Sequence, residues 1–530
     1  MRDPRPNAQA FAWILLLAAC GCGGASSGPV DPPVPPVPPP DDPQVRLTLL
    51  SPFAAGCDAP TQGAAYVNAE VEPMVAVDPT HPNRLVGVWQ QDRWGNGGAR
   101  GNVTGVSVDG GLTWVKRSAR FSRCTGGDFA RTSDPWVTIS PDGTAHQIAL
   151  AFDGETFGPG AASAILVSRS TDGGDTWSAP ATLSRGDADF FDDKESITAD
   201  PFDSRYVYAV WDRLEPSGRG PTWFARTADG GATWEPARSI YDPGPTSQTI
   251  NNQVVVLTDG TLVTFYTRLD NVPVRQSLEV IRSHDRGLTW SSPIVVSVVQ
   301  AVGTVDPQTG TAIRDAALLG SIAAGPGGSL VAVWQDSRFS DGQRDGIALS
   351  RSTDGGLTWS TPARVNRDPT VPAFVPTVAI RADGAIGVSY YDFRSNTADR
   401  ATLPTDTWLA RSTDGGATWR ESRVAAPFDL AIAPYAGGLF LGDYQALVVA
   451  GDVFVPFYVT TNDGDLVNRT DVFASRVTSA GSVAAARVAE LLSADVAEQA
   501  VQAGPLPVTP ELRERFRDAA RRLQERRRAR

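Results

Sequence analysis

The chain carries 47 Lys and Arg side chains, and only Lys116 and Lys194 among them are lysines. Lys194 is set among acids in Asp192-Asp193-Lys194-Glu195. An ammonium beside carboxylates fixes their charge states, and a carboxyl held in that way can act as acid, base or nucleophile. Glu195, Glu72 and Asp134 are therefore candidate catalytic groups, and Tyr444, next to Asp443, adds a phenol. Lys194 joins Arg213, Arg268, Arg338 and Arg394 as candidate ligand-binding groups; each of these arginines stands one or two residues from an Asp (Asp212, Asp270, Asp336, Asp392). A guanidinium suits fork-like recognition of an anionic or hydroxyl-rich ligand. Repeated Asp-Arg pairs equally suit salt bridges within a scaffold. Three His and four Cys, scattered without ligand spacing, leave zinc sites and Ser-His-Asp or Cys-His catalysis with little to work with. Neither a metal nor a cofactor is expected.

These residues are far apart in sequence, so repeating elements must bring them together. Short apolar runs beginning near Met74, Trp136, Ser196, Gln253, Ser321, Thr377 and Ala446 are first strands. Each is followed by a turn and a second strand ending in an aromatic and a polar cluster, as in Leu85-Val-Gly-Val-Trp89 and Leu330-Val-Ala-Val-Trp334. Third and fourth strands complete each unit, and four short strands per unit make a propeller blade. The expectation is an all-β chain forming a seven-bladed β-propeller of four-stranded blades, with six blades as the alternative. The candidate residues precede first strands or follow second strands, which places them around one mouth of the central channel. In the last unit the fourth strand is either the chain after residue 482 or the segment from Val45 to Leu50, and 483–503 also reads as a helix.

Six segments share the pattern [Ser/Thr]-x-Asp-x-Gly-x-x-Trp, from Ser107-Val-Asp-Gly-Gly-Leu-Thr-Trp114 to Ser412-Thr-Asp-Gly-Gly-Ala-Thr-Trp419. Asp and Gly close a tight hairpin, the carboxylate accepting backbone N–H bonds while Gly takes positive φ. Asp109, Asp172, Asp229, Asp285, Asp354 and Asp414 are thus expected to be structural. The pattern resembles the Asp-box (BNR) repeat of the sialidase-like propeller superfamily. The resemblance covers residues of about 66 to 480 and implies a retaining glycosidase in which a Tyr nucleophile assisted by Glu, an Asp acid/base and three Arg act on a sialate. Where sialidases carry Phe/Tyr-Arg-Ile-Pro on the first blade, this chain reads Glu70-Val-Glu72-Pro-Met-Val75.

Composition narrows the setting. The formal charge is −12, so the body should repel nucleic acid. Arg2 and Arg5 precede an apolar run to Ala19 that is too short to span a bilayer and fits an export signal. It ends in Leu17-Ala18-Ala19-Cys20, which resembles a bacterial lipobox. That resemblance implies lipidation of Cys20 and delivery to the outer membrane or cell surface of a Gram-negative cell. A proline-rich stretch follows, a polyproline II spacer of about 40 to 50 Å. The expected organisation is a signal peptide at 1–19, a tether at 20–44, the propeller at 45–490 and a helical Arg-rich tail at 491–530. Cys57 and Cys124 remain to form a disulfide. The protein is expected to act on or bind a glycan, possibly anionic in charge, as a monomer on a membrane through its lipid anchor; the alternative is a non-catalytic scaffold for proteins or glycans.

Overall fold

The computed structural model describes residues 44–58, 63–154, 162–186, 189–271 and 274–478. The expected signal peptide, Cys20, the expected tether up to residue 43, the segment 483–503 and the expected tail at 491–530 lie outside the described residues. Among the described residues the chain is all-β, with 28 strands and three short 3₁₀ turns at Arg123–Thr125, Pro326–Gly328 and Leu430–Ile432.

Four sheets each hold four consecutive antiparallel strands. Their first strands are Phe191–Ala199, Ser247–Val256, Ser321–Ala324 and Ala373–Ile380. A twelve-stranded sheet contains the rest, and it repeats the same meander from Ala65–Val77, Arg131–Ile139 and Ala446–Ala450. Only the single pairings Ala69 with Thr470 and Ala99 with Thr132 join its meanders. Each first strand touches the next one along the chain, and Ala446–Ala450 touches Ala65–Val77.

Five of the first strands begin upstream of the apolar runs read from sequence, at Ala65, Arg131, Phe191, Ser247 and Ala373. A β-bulge carries each strand past the expected start, between Val71 and Met74, Ser133 and Trp136, Asp193 and Ser196, Ile250 and Gln253, and Phe374 and Thr377. The first bulged residue is left-handed every time: Glu72, Asp134, Lys194, Asn251 and Val375 have φ of 55°, 47°, 49°, 62° and 51°. Pro73, Pro135 and Pro376 follow three of them, and proline cannot donate to the ladder. A β-branched residue at positive φ, as at Val375, is uncommon and must be held by its surroundings. The bulge thus turns one side chain per strand out of the alternating pattern.

The last unit takes its fourth strand from the N-terminal side. Gln44–Arg46 pairs antiparallel with Thr470–Ser475, Gln44 opposite Ser475 and Arg46 opposite Phe473, and the Leu47 N–H continues the pairing to Val472 O at 2.9 Å. Apolar clusters fill the spaces between successive sheets, with Trp89, Trp211, Tyr266, Trp334, Tyr390 and Tyr458 at one register position of six second strands, all fully buried. Aromatic side chains of this size dominate such cores.

The six box turns lie between third and fourth strands. In the first, Asp109 accepts from Ser107 Oγ at 2.8 Å, the Leu112 and Thr113 N–H groups at 3.0 and 2.9 Å, and Thr113 Oγ1 at 2.6 Å. Gly111, at φ 91°, donates its N–H to Ser107 Oγ and accepts from Trp114 Nε1. Asp172, Asp229, Asp285, Asp354 and Asp414 accept the same Ser/Thr hydroxyl and Thr amide bonds. The Gly110 N–H bonds Asn83 O in the turn between the first two strands, so box turns and first-to-second turns share one end of the sheets. The bulges lie toward the other end.

Candidate functional site

Three consecutive bulges bring Glu72, Asp134 and Lys194 together. The Lys194 ammonium donates to Asp134 Oδ1 at 2.5 Å and Asp443 Oδ2 at 2.6 Å, and stands 3.8 Å from Glu72 Oε1. Asp443 arrives on the segment leading into Ala446–Ala450, which docks through Glu72 N–H to Leu441 O at 3.2 Å and Asp443 N–H to Glu72 Oε1 at 3.4 Å. Gly442 makes that docking feasible: its φ is 144°, and a Cβ there would sit 2.7 Å from the Glu72 nitrogen. Arg314 closes the cluster with a two-pronged pair to Asp443, one prong at 2.8 Å. Arg93 bonds Gln90 at 2.9 Å, and the Gln90 amide donates to Glu72 and to Ser133. Both guanidiniums lie over the Phe440 ring, at 5.0 and 4.4 Å.

Charge states follow from burial and neighbours. Burial pushes the Glu72 carboxyl up to about 8, Asp134 adds to the rise, and Lys194 opposes it. Burial acts the same way on Asp443, but Arg314 and Lys194 outweigh it and hold that carboxyl far below its usual range. For Lys194 burial favours loss of the proton, while Asp134, Asp443 and Glu72 together hold the ammonium well above its ordinary value. At neutral pH the cluster therefore contains a neutral Glu72, an ionised Asp443 and a charged Lys194. The oxygens of Glu72, Asp134 and Asp443 lie within 4.8 Å of one another, a spacing a hard cation could use. The Lys194 ammonium supplies the positive charge there. Cys57 and Cys124, with Asp58 beside them, form a disulfide with Cα atoms 4.9 Å apart.

The other sequence-derived candidates are placed as follows. Tyr444 packs against Trp136 at 5.3 Å and donates to Pro135 O at 3.1 Å; burial, then Glu72 and Asp134, keep the phenol protonated. Glu195 reaches the neighbouring unit, where Oε1 accepts the Leu150 N–H and Oε2 has no partner. Burial, then Asp134, pushes its carboxyl well up. Beside it, Asp193 and Asp212 face each other across two strands, and neither oxygen of Asp212 has a partner. Burial, then Asp134, raises Asp193 to about 7, and burial, then Asp193, pushes Asp212 well above its ordinary value.

The four arginines do not gather around Lys194. Arg213 pairs with Asp192 at 2.8 Å between the Phe190 and Trp223 rings. Arg268 pairs with Asp270 at 2.8 Å and Tyr241 at 2.9 Å. Arg338 pairs with Asp336 at 2.8 Å. Arg394 pairs with Asp392 and Glu421 and stacks 3.6 Å over Trp408. Each guanidinium pairs with a carboxylate of its own sheet, and Arg213 and Arg338 also reach the preceding one, at Ser184 and at Ser297 and Val298, which is the scaffold role that the repetition of the pairs allowed.

Sequence reasoning did not single out Arg314 or Gln90. Arg314 precedes the fifth first strand, as the other mouth residues precede theirs, but the irregular chain between residues 299 and 320 hides the equivalence. Beside the cluster is a cavity of about 160 Å³ lined by Asp443, Tyr444, Trp136, Met74, Asn251 and Gln445, among others. Short carboxyl spacing, near 5 to 5.5 Å, is what a retaining glycosidase uses. Here the space between the carboxylates holds an ammonium.

No family model matches the chain. Among solved structures it is similar to a Hadza microbial sialidase, at 16% identity over 76% of this chain and 75% of that one with a TM-score of 0.44. It is similar to a mutant of the NanB sialidase from Streptococcus pneumoniae, at 9% identity over 78% and 94% with a TM-score of 0.42. It is also similar to an α-L-arabinanase from Penicillium chrysogenum complexed with arabinobiose, at 13% identity over 65% and 92% with a TM-score of 0.40.

Proposed function

We propose that this chain is a sialidase-like, seven-bladed propeller, held outside the cytoplasm by a lipid on Cys20, that binds a glycan at the channel mouth around Lys194. The carrying observation is the buried Lys194, Glu72, Asp134, Asp443 and Arg314 cluster beside a cavity of about 160 Å³. Pairing of Gln44–Arg46 with Thr470–Ser475 supports ring closure in the last blade. The Cys57–Cys124 disulfide supports an oxidising compartment.

Binding is favoured over hydrolysis because the Lys194 ammonium occupies the gap between the carboxylates. A second reading, retaining hydrolysis, is favoured by one observation: Glu72 is pushed up to about 8 beside an ionised Asp443, a protonated acid next to a carboxylate that could serve as nucleophile. A glycan array read for both retention and released sugar separates the two. Retention without release supports binding, and release abolished in Glu72→Gln supports hydrolysis. An array on which nothing is retained or cleaved would end both.

A further inference from the structure

We propose that the ligand of the cavity beside Tyr444 is an uncharged, hydroxyl-rich molecule the size of one sugar unit, rather than a carboxylate-bearing sugar. This rests on the glycan-binding reading above and narrows it to a substrate class.

The first ground is the cavity lining. Its polar groups are the uncharged side chains of residues such as Asn251, Gln253 and Gln445, and its apolar wall includes Met74 and Trp136. Among the described residues, no Lys, Arg or His lines it, and its one ionisable acid is Asp443. Carboxamides and an aromatic ring in one lining match a sugar ring, which presents hydroxyls at its rim and C–H groups on its faces. A cavity of about 160 Å³ is of a size to seat one sugar unit.

The cations around the cluster point the same way: Arg93 bonds the Gln90 amide and, like the others, does not line the cavity. Arg213, Arg268, Arg338 and Arg394 are committed to carboxylates of their own sheets. Arg314 is spent on Asp443, and Lys194 on Asp134 and Asp443. A ligand carboxylate entering the cavity would face the ionised Asp443 with no guanidinium in the lining to pair with, and a buried unpaired charge is strongly disfavoured. A neutral sugar meets no such barrier.

The test uses matched pairs that differ only at C6: galactose against galacturonate and glucose against glucuronate, titrated into the purified full chain by calorimetry, with N-acetylneuraminate alongside. At least one neutral sugar should bind tenfold or more tightly than its uronate, and Gln445→Met should weaken it at least fivefold. Trp136→Phe is the second variant, should the first unfold; thermal melting of both checks folding. A uronate or N-acetylneuraminate binding as tightly as the neutral sugars would overturn the inference while leaving the glycan reading in place. Neutral sugar binding unchanged in both folded variants would also overturn it, since the site would lie elsewhere. Binding of none of these sugars, together with a blank glycan array, would remove the parent reading as well.

Discussion

Replacing Lys194 by Met keeps an unbranched side chain one atom shorter and removes its charge, leaving Asp134, Asp443 and Glu72 facing one another with oxygens within 4.8 Å. In wild type the contact to Asp443 at 2.6 Å is worth about 6 kcal/mol at an effective dielectric of about 20, and the contact to Asp134 about as much. Desolvation of the ammonium takes back much of this, and removal of one partner from a buried ion pair leaves a net loss of about 3–5 kcal/mol. The loss must depend on pH. Without the ammonium, the carboxyls in the folded variant titrate above their unfolded values, so folding takes up protons and stability falls as pH rises. Urea unfolding of Lys194→Met at pH 8 should show the full deficit, and at pH 5 less than half of it. Lys194→Met combined with Asp134→Asn should recover part of the difference at pH 8. A deficit below about 1 kcal/mol at pH 8, or a larger one at pH 5 than at pH 8, would refute the assignment of Lys194 as the charge that holds this cluster together.

Wild-type stability should itself decline from pH 5 to pH 8, because Glu72 and Asp193 have folded values near 8 and 7 and lose their contribution as pH rises through them; Asp443, held low, loses its contribution only in strong acid. A flat profile by thermal melting across that range would contradict these shifts. Glu195→Gln should raise stability at pH 7 and lose that advantage toward pH 4, since the wild-type carboxyl, pushed well up by burial, takes up a proton on folding, while the amide oxygen can keep the contact to the Leu150 N–H; Glu195→Ala leaves that N–H unpaired and should cost about 1–3 kcal/mol relative to the Gln variant. Asp354→Ala removes four hydrogen bonds from an exposed turn, and because water can replace them the cost should be about 1 kcal/mol, with ligand binding per folded molecule unchanged. Cys57→Ser with Cys124→Ser opens a loop with a sequence separation of 67 and should cost about 4 kcal/mol in denaturant melts on chain-entropy grounds.

The boxes were legible in sequence because their bonds are local: Asp109 reaches only residues within four positions. Lys194, Glu72 and Asp134 were legible as irregularities at equivalent places before first strands. What brings them together, a bulge with left-handed φ, was not, since Val375 takes the same conformation as Glu72 and nothing in its residue type announces it. The partners of the arginines were not legible for a related reason. An Arg at the end of a strand has a long side chain, and sequence does not reveal whether it reaches the channel or folds back onto an aromatic, as Arg394 does on Trp408. The short strand Gln44–Arg46 was one of two options because three residues carry too little pattern to choose between them.

That strand has a direction as well as a partner. Gln44 lies opposite Ser475, and the next residue, Arg476, reaches Gly110 in the first box turn. From there the chain runs through Leu47 and Thr48 to Ser51, which bonds Asp92 at the far end of the second strand. Whatever precedes Gln44 therefore joins the molecule at the rim that carries the box turns. A label attached at residue 44 would therefore report on the box-turn rim while leaving the cluster around Lys194, at the opposite end of the strands, untouched.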